Sequence, residues 1–400
     1  MDDFNPAEFV QIQIERIKEI LDGEKALIAV SGGVDSTTCA VLTHMAIGEN
    51  LLCVILDDAF MRIDEPERVA EILSRRLNLP VKIERVQEKF LDALRGLRDA
   101  EEKRKAFRRT FYETLSEIAK RENTRYLVQG TILADVIETR GGVKTQHNVL
   151  EQIGINTREL YGFKVVEPLV SLLKWQVREV ARYLKIPHEI SERQPFPGPG
   201  LSVRVVGEVR LDKLDTLKRA TAITEDKLSR HNPSQYFAAI IDDEEKPLHL
   251  FDVEKIIRKA SDMLGLEKEE VQVRVFVDRA TGVRGKSRVY GEILALRCNR
   301  DGREILEVDV PRLVSLQEAI ISCSPNFTRV LYAIAEREEK KPYVIAMRAV
   351  ETEDFLTAKV SPLPWDILEE TAEAILERCP DVSTVYYDVT PKPPATIEME

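Results

Sequence analysis

The chain has 400 residues, 44% of them hydrophobic and 32% charged, and a formal net charge of −11. That length accommodates two or three domains with a real core. The acidic balance argues against nucleic acid as an obligate partner, because such partners call for a basic surface. No apolar run reaches bilayer-spanning length, and the acidic start Met1-Asp2-Asp3-Phe4 lacks a signal-peptide pattern, so no membrane partner is expected. The five cysteines (Cys39, Cys53, Cys298, Cys323, Cys379) are scattered without a CxxC pair. Reduced, mostly buried thiols in a cytoplasmic protein are expected, without structural zinc.

In chain order, "PAEFVQIQIERIKEILD" (6–22) has helical spacing and Gly23 as a stop. Residues 25–30 read as a buried strand and 35–47 as a helix that starts in a glycine loop. "LLCVILDD" (51–58) is a second strand, 65–78 a helix, "VKIERV" (81–86) a third strand, about 99–121 a charged helix, and "RYLVQG" (125–130) a fourth strand. Strands alternating with helices predict a parallel, doubly wound sheet of the α/β class. Ligands then sit at the strands' carboxyl ends, where the glycine loop, Asp57-Asp58 and Gln129-Gly130 all fall. "PFPGPG" (195–200) holds three prolines and two glycines in six residues. It predicts a rigid connection and a boundary between domains 1–195 and 196–400. Beyond it, strands are expected at 271–277, 290–298, 329–336, 343–350 and 383–389. Helices are expected at about 209–230, 253–265, 310–322 and 364–378. This is an α+β pattern. Ala-Leu-Arg (295–297) and Ala-Met-Arg (346–348) hint at a duplicated unit.

The loop "SGGVDS" (31–36) lies between strand and helix. Its glycines let backbone N–H groups close on an anion, and the helix start adds orphan donors and a positive dipole end. Ser31 and Ser36 offer hydroxyl donors. Asp35 is a poor direct partner for phosphate, so it is expected to hold the loop or take part in Mg²⁺ coordination. The loop is neither a Walker A motif nor GxGxxG. A plain strand-to-helix turn capped by Ser and Asp is the other reading.

SGGVDS resembles the PP-loop of the N-type ATP pyrophosphatases, which cleave ATP between the α and β phosphates. Four further stretches narrow the resemblance: "EEKRK" (101–105), "VQGTILADVIET" (128–139), "RQPFPGPGLSVRVVGE" (193–208) and "YDVTPKPPATIEME" (387–400). Together they are similar to the ATP-pyrophosphatase part of GMP synthetases, over about 25–240 and 341–400. That resemblance implies an adenine nucleotide alpha hydrolase-like domain and a C-terminal dimerisation domain, here enlarged or duplicated. It implies that the C2 oxygen of XMP attacks the α-phosphorus of ATP at a two-domain junction, and that ammonia then displaces AMP to give GMP. Ser31, Gly32, Gly33, Val34, Asp35, Ser36 and Gly130 would form the ATP site, with Mg²⁺ at Asp35. Lys144 and His147 in "GGVKTQHNV" (141–149) would reach the phosphates and, with Asp35, serve catalysis. Arg104, Asp135, Gln235, Lys392, Thr396, Ile397 and Glu398 would serve XMP, with Lys392 on its phosphate and Glu398 near the purine.

The chain departs from the family pattern at three places. Ala59 stands where a glycine usually follows the strand-end aspartate. Lys174-Trp175-Gln176-Val177-Arg178 replaces a more acidic K-D-E-V-R. Lys286 in "GVRGKSRVY" (282–290) replaces an aspartate that contacts XMP. That cation raises the alternative of a different acceptor. A non-catalytic nucleotide-binding paralogue is the reading from another class, opposed by the intact loop and tail. No cysteine lies in a glycine-rich nucleophile elbow, so ammonia is expected from a separate glutamine amidotransferase subunit, and a homodimer is expected.

Overall fold

The computed structural model describes residues 4–140, 156–250, 252–285, 287–300, 304–353 and 356–400. They fall into two units, Met1–Ala93 with Lys105–Gly198, and Leu94–Arg104 with Pro199–Glu400. No helix among the described residues is long and apolar enough to cross a membrane.

The first unit opens with α1 (Pro6–Leu21), capped by Asn5, whose Oδ1 accepts from the N–H groups of Ala7 and Glu8 at 3.1 and 3.3 Å. Then follow β1 (Ala26–Ala29), α2 (Val34–Ile47), β2 (Leu51–Asp57), α3 (Glu65–Leu77), β3 (Val81–Arg85), α4 (Gln87–Leu94) and α5 (Ala100–Arg121), whose residues up to Arg104 belong to the second unit. The unit closes with β4 (Tyr126–Val128), α6 (Leu133–Arg140), α7 (Thr157–Tyr161), β5 (Lys164–Val166), α8 (Lys174–Tyr183) and α9 (His188–Ser191). Helices α4 and α6 are short and escape the periodicity of the sequence. The five strands are parallel in the order β3-β2-β1-β4-β5. Strand β1 reads as a continuous apolar run because both its faces are covered. Ala26 and Ile28 face one core with Cys39, Leu42 and Val177, and Leu27 faces the other with Tyr112, Leu115 and Ile118. The strand order reverses at β1, which makes its carboxyl end the switch point where such sheets bind ligands.

The second unit has α10 (Leu211–Leu228), β6 (Gln235–Asp242), α11 (Val253–Leu264), β7 (Val271–Arg284), β8 (Ser287–Arg300), β9 (Glu304–Ile305) and α12 (Val310–Cys323). It ends with β10 (Phe327–Glu336), β11 (Tyr343–Glu351), β12 (Lys359–Val360), α13 (Trp365–Arg378) and β13 (Val382–Asp388). The β-strand pattern does not predict β6, and β7 runs seven residues past its expected end at 277. Two sets with the same α-β-β-α-β order are interleaved. The set α11-β7-β8-α12-β10 is inserted between α10-β6 and β11-α13-β13. In each, the first two strands pair antiparallel and the helix crosses over to a parallel third strand. The third strands β10 and β13 join the sets antiparallel. The two Ala-X-Arg triplets occupy the same element of each set, β8 and β11. This topology bears out the hint of duplication.

Phe237, Ala239, Ala295, Leu331, Ala346 and Tyr386 form a core that contains no helix residue, together with Val206 and Met399. The C-terminal segment therefore covers the sheet face opposite the helices. By the two-residue period of strands, Gln235, Arg329, Arg348 and Asp388 project from this same face.

Candidate active site

The first constellation starts at the end of β1. Gly32 has φ +76°, and a Cβ there would lie 2.6 Å from a Val69 methyl, so only glycine fits. Gly33 is the N-cap of α2; its own N–H donates to Ser31 Oγ at 3.4 Å, but it has no side chain to cap the N–H groups that follow. The first N–H groups of α2 thus remain available to an anion. Ser31 is exposed, and its Oγ lies 3.3 Å from Ser36 Oγ. Ser36 Oγ also accepts from Ser31 N–H at 3.3 Å and lies 3.2 Å from the Gly33 carbonyl. The hydroxyls converge on the loop and hold its shape. Val34 is buried in the sheet core and anchors the first helical turn. Gly130 at the end of β4 explains itself by packing: a Cβ there would come within 2.9 Å of Ser36 N.

Asp35 pairs through Oδ2 with Lys174 Nζ at 2.6 Å. Its Oδ1 is buried without a hydrogen-bond partner. The lysine of the altered K-D-E-V-R segment thus neutralises the loop aspartate. Asp135 accepts from Ile132 N–H at 3.1 Å, tying down the start of α6. At the end of β2, Asp57 is held by Arg85 at 3.1 Å and Gln87 at 2.8 Å. Asp58 accepts from Phe60 N–H at 2.8 Å. Between them and Phe60 stands Ala59 with φ +76°, the left-handed conformation a glycine adopts freely. The motif "RQPFPGPG" is anchored by Arg193 on the buried Glu65 and by Arg62 over the Phe196 ring at 4.0 Å. Lys144, His147 and Lys286 lie outside the described residues.

The second constellation lies in the second unit. Glu398 receives a bidentate pair from the fully buried Arg204, at 2.9 and 3.0 Å, and a hydrogen bond from Gln235 Nε2 at 3.1 Å. Arg204 is stacked over Phe237 at 4.1 Å. Arg104 feels the carboxylates of Glu101, Glu400 and Glu398. Burial, with Arg288 alongside, pulls its guanidinium down to about 10. Arg104 Nη1 is buried and has no hydrogen-bond partner. The structure thus brings Arg104, Gln235 and Glu398 into one electrostatic neighbourhood.

Thr396 and Ile397 are turned inward instead. Thr396 Oγ1 accepts from Arg329 at 3.0 Å, and the carbonyls of Thr396 and Ile397 accept from Arg348 at 3.1 and 2.9 Å. Both arginines are fully buried and share Asp388 Oδ2 at 2.8 Å each. Lys392 exchanges backbone hydrogen bonds with Ala358 at 2.8 and 3.0 Å, which seats the tail before its last turn. Glu400 is buried, pairs with the buried Lys103, and accepts from Gly207 N–H at 2.9 Å. Burial pushes its carboxyl up to about 7, against the pull of Lys103. Arg204, Arg329, Arg348, Lys103 and Lys174 were not among the site residues expected from the sequence. Their signal was present for three of them: an arginine inside an apolar strand or run, at "VRV", "TRV" and "AMR", has to find a buried partner.

Among the described residues no group of three or more His, Cys, Asp or Glu is placed to hold a metal ion. A single hard oxygen, Asp35 Oδ1, is nonetheless a donor of the type Mg²⁺ takes when substrate phosphates complete its shell.

A model described as PP-loop domain matches residues 6–192, and one described as GMP synthase C terminal domain matches 336–399. A protein of Sulfurisphaera tokodaii, named as a subunit of glutamine-hydrolyzing GMP synthase, is 45% identical over 397 residues, covering 99% of this chain and 100% of its own length. The protein of the same name from Saccharolobus solfataricus is 43% identical over 397 residues, with the same coverage. That of Methanopyrus kandleri is 38% identical, again covering 99% of this chain and 100% of its own. Loop, tail and full-length identity agree, and the chain belongs to the family of GMP synthase subunits that these relatives represent.

Proposed function

We propose that the chain is the synthetase subunit of a two-part GMP synthase: it aminates XMP to GMP at the expense of ATP, releasing AMP and pyrophosphate. The observation that carries this reading is the 45% identity spanning 100% of the Sulfurisphaera relative. The XMP C2 oxygen attacks the α-phosphorus, the bond to pyrophosphate breaks, and adenylyl-XMP forms. Ammonia adds at C2 and AMP leaves with that oxygen. Catalysis of such a transfer is largely positioning and charge stabilisation.

In this reading the N–H groups of α2's first turn, from Gly33, Val34, Asp35 and Ser36, hold the pyrophosphate with the Ser31 and Ser36 hydroxyls. Gly32 and Gly130 let the loop take its path. Asp35 Oδ1 would hold Mg²⁺, which supplies neutralisation of phosphate charge. Lys144 and His147 would reach the phosphates from their segment. Arg104 and Lys392 would meet XMP as cations, and Glu398, held in place by Arg204, would accept from a purine N–H with Gln235 orienting it. Thr396 and Ile397 would shape the acceptor site rather than bind through their polar atoms, and Asp135 would keep the start of α6 in place. Ammonia comes from a separate glutaminase subunit, a division of labour supported by the relatives, each named as one subunit of a glutamine-hydrolyzing enzyme. A homodimer in the cytoplasm completes the reading.

The test incubates the pure chain with ATP, Mg²⁺, XMP and an ammonium salt at alkaline pH, where free ammonia is present. GMP and AMP are expected to appear in equal amounts. Folded protein that makes no GMP, with the glutaminase partner supplied as well, overturns the reading.

A further inference from the structure

Two charges are buried where the mechanism does not use them. Lys103, in the first turn of α5, has a side chain only 2% exposed, and that of Glu400 is 0% exposed. Lys103 Nζ donates to the carbonyls of Val205 at 2.6 Å and Gly207 at 2.8 Å, with Ser202 at 3.5 Å, and pairs with the Glu400 carboxylate. Glu400 N–H donates to the Val203 carbonyl at 3.0 Å, and Tyr290 OH lies 3.5 Å from Glu400 Oε1. The lysine therefore draws together three segments: the start of α5, residues 202–207, and the tail.

Each of these segments carries one residue of the acceptor constellation within two positions of the buried pair or of a carbonyl that it bonds. Arg104 follows Lys103, Arg204 lies between the carbonyls that Lys103 takes, and Glu398 precedes Glu400 by two. Burying an ion pair is a poor route to stability, since an apolar pair of equal volume serves as well. What the ion pair adds is direction, because an ammonium with a carboxylate and carbonyls around it permits one arrangement of the three backbones. Arg104 needs such a setting: it is a buried cation whose Nη1 has no hydrogen-bond partner.

We propose that the Lys103–Glu400 pair is a positioning device for XMP: it fixes Arg104 relative to the Arg204–Glu398 pair, so that the acceptor is gripped by prearranged groups. This rests on the functional reading above. Neither residue touches the reacting atoms; both act through Arg104 and Glu398.

The experiment compares the full-length wild type with the double variant Lys103→Met, Glu400→Gln, which removes both charges and strands neither. With ATP, Mg²⁺ and ammonium in the assay, the KM for XMP is expected to rise about tenfold or more, as misplacement of a binding group does. The KM for ATP and kcat at saturating XMP stay within about threefold of wild type. In an Arg104→Ala background the same double change adds less than about twofold, because the groups act as one unit. An XMP KM within about twofold of wild type, or an equal rise for ATP, overturns the proposal. Should the double variant not fold, Glu400→Gln alone keeps the three carbonyl partners of Lys103 and is expected to show the same split; an unchanged XMP KM there also overturns it. A wild-type chain that makes no GMP in the parallel assay shows that the functional reading has failed, and the inference falls with it.

Discussion

The glycine loop after β1 and the C-terminal tail solve the same problem, holding irregular backbone still, with different materials. The loop uses backbone: a positive φ at Gly32, a bare Cα at Gly130, an uncapped helix start, and the partly exposed pair Asp35–Lys174. The tail uses buried charge: Arg329 and Arg348 on Asp388, Arg204 on Glu398, Lys103 on Glu400. The reason is local. A loop joining a strand to a helix inherits aligned N–H groups from the helix. A tail crossing a sheet face has no ladder of its own, so its carbonyls need donors reaching up from the strands below.

The largest effect is expected where the tail's charges are stranded. Asp388→Asn leaves two arginines buried without a counter-charge, and loss of one partner of a buried ion pair costs about 3–5 kcal/mol. Urea unfolding should show a lower midpoint and an unfolding free energy reduced by that amount, whereas a loss below about 1 kcal/mol would mean that the tail is held by packing alone. Next comes the loop. Gly130→Ala drives a methyl to 2.9 Å from Ser36 N, so the helix start has to shift. Overpacking of this kind costs about 1–3 kcal/mol, and the KM for ATP should rise while that for XMP stays unchanged. Equal KM values for ATP before and after would place the nucleotide elsewhere. The smallest effect belongs to Ala59. Alanine at φ +76° carries about 1–2 kcal/mol of left-handed strain, partly offset by the freedom glycine gains in the unfolded chain. Ala59→Gly should leave stability unchanged or raise it by up to about 1 kcal/mol, whereas Ala59→Val should lower the melting temperature. A drop with glycine would show that the Ala59 methyl is a packing contact.

The loop was legible in the sequence because its geometry admits few residue types: left-handed backbone and close approach both demand glycine, and the serines advertise donors. The alternation of strands and helices was legible because β1 is apolar throughout, β2 is apolar as far as Leu56, and α1 carries a clear apolar stripe. The partners of the tail were not. Arg204 and Glu398 are 194 positions apart, Lys174 and Asp35 139, and nothing in local pattern specifies such pairings. Strand β6 escaped for another reason. "QYFAAIID" is a short apolar run whose faces are both buried, and such a run has no period to distinguish it from a helix. Helix α4 follows β3 directly, with Gln87 as its first residue, and its eight residues are too few for a secure period.

The interleaving of the two α-β-β-α-β sets bears on how the chain is made. Strand β6 pairs with β11, Asp242 opposite Tyr343, so it leaves the ribosome roughly 100 residues before its partner. At about 5–20 residues per second, it waits about 5–20 s with an apolar edge uncovered. The inserted set has all three of its strands by then and is free to close first. The outer set, and with it the surface on which residues 395–400 settle, assembles last. Nascent second units in cells thus pass through a half-built sheet with an open edge, the stage at which a chaperone has most to offer.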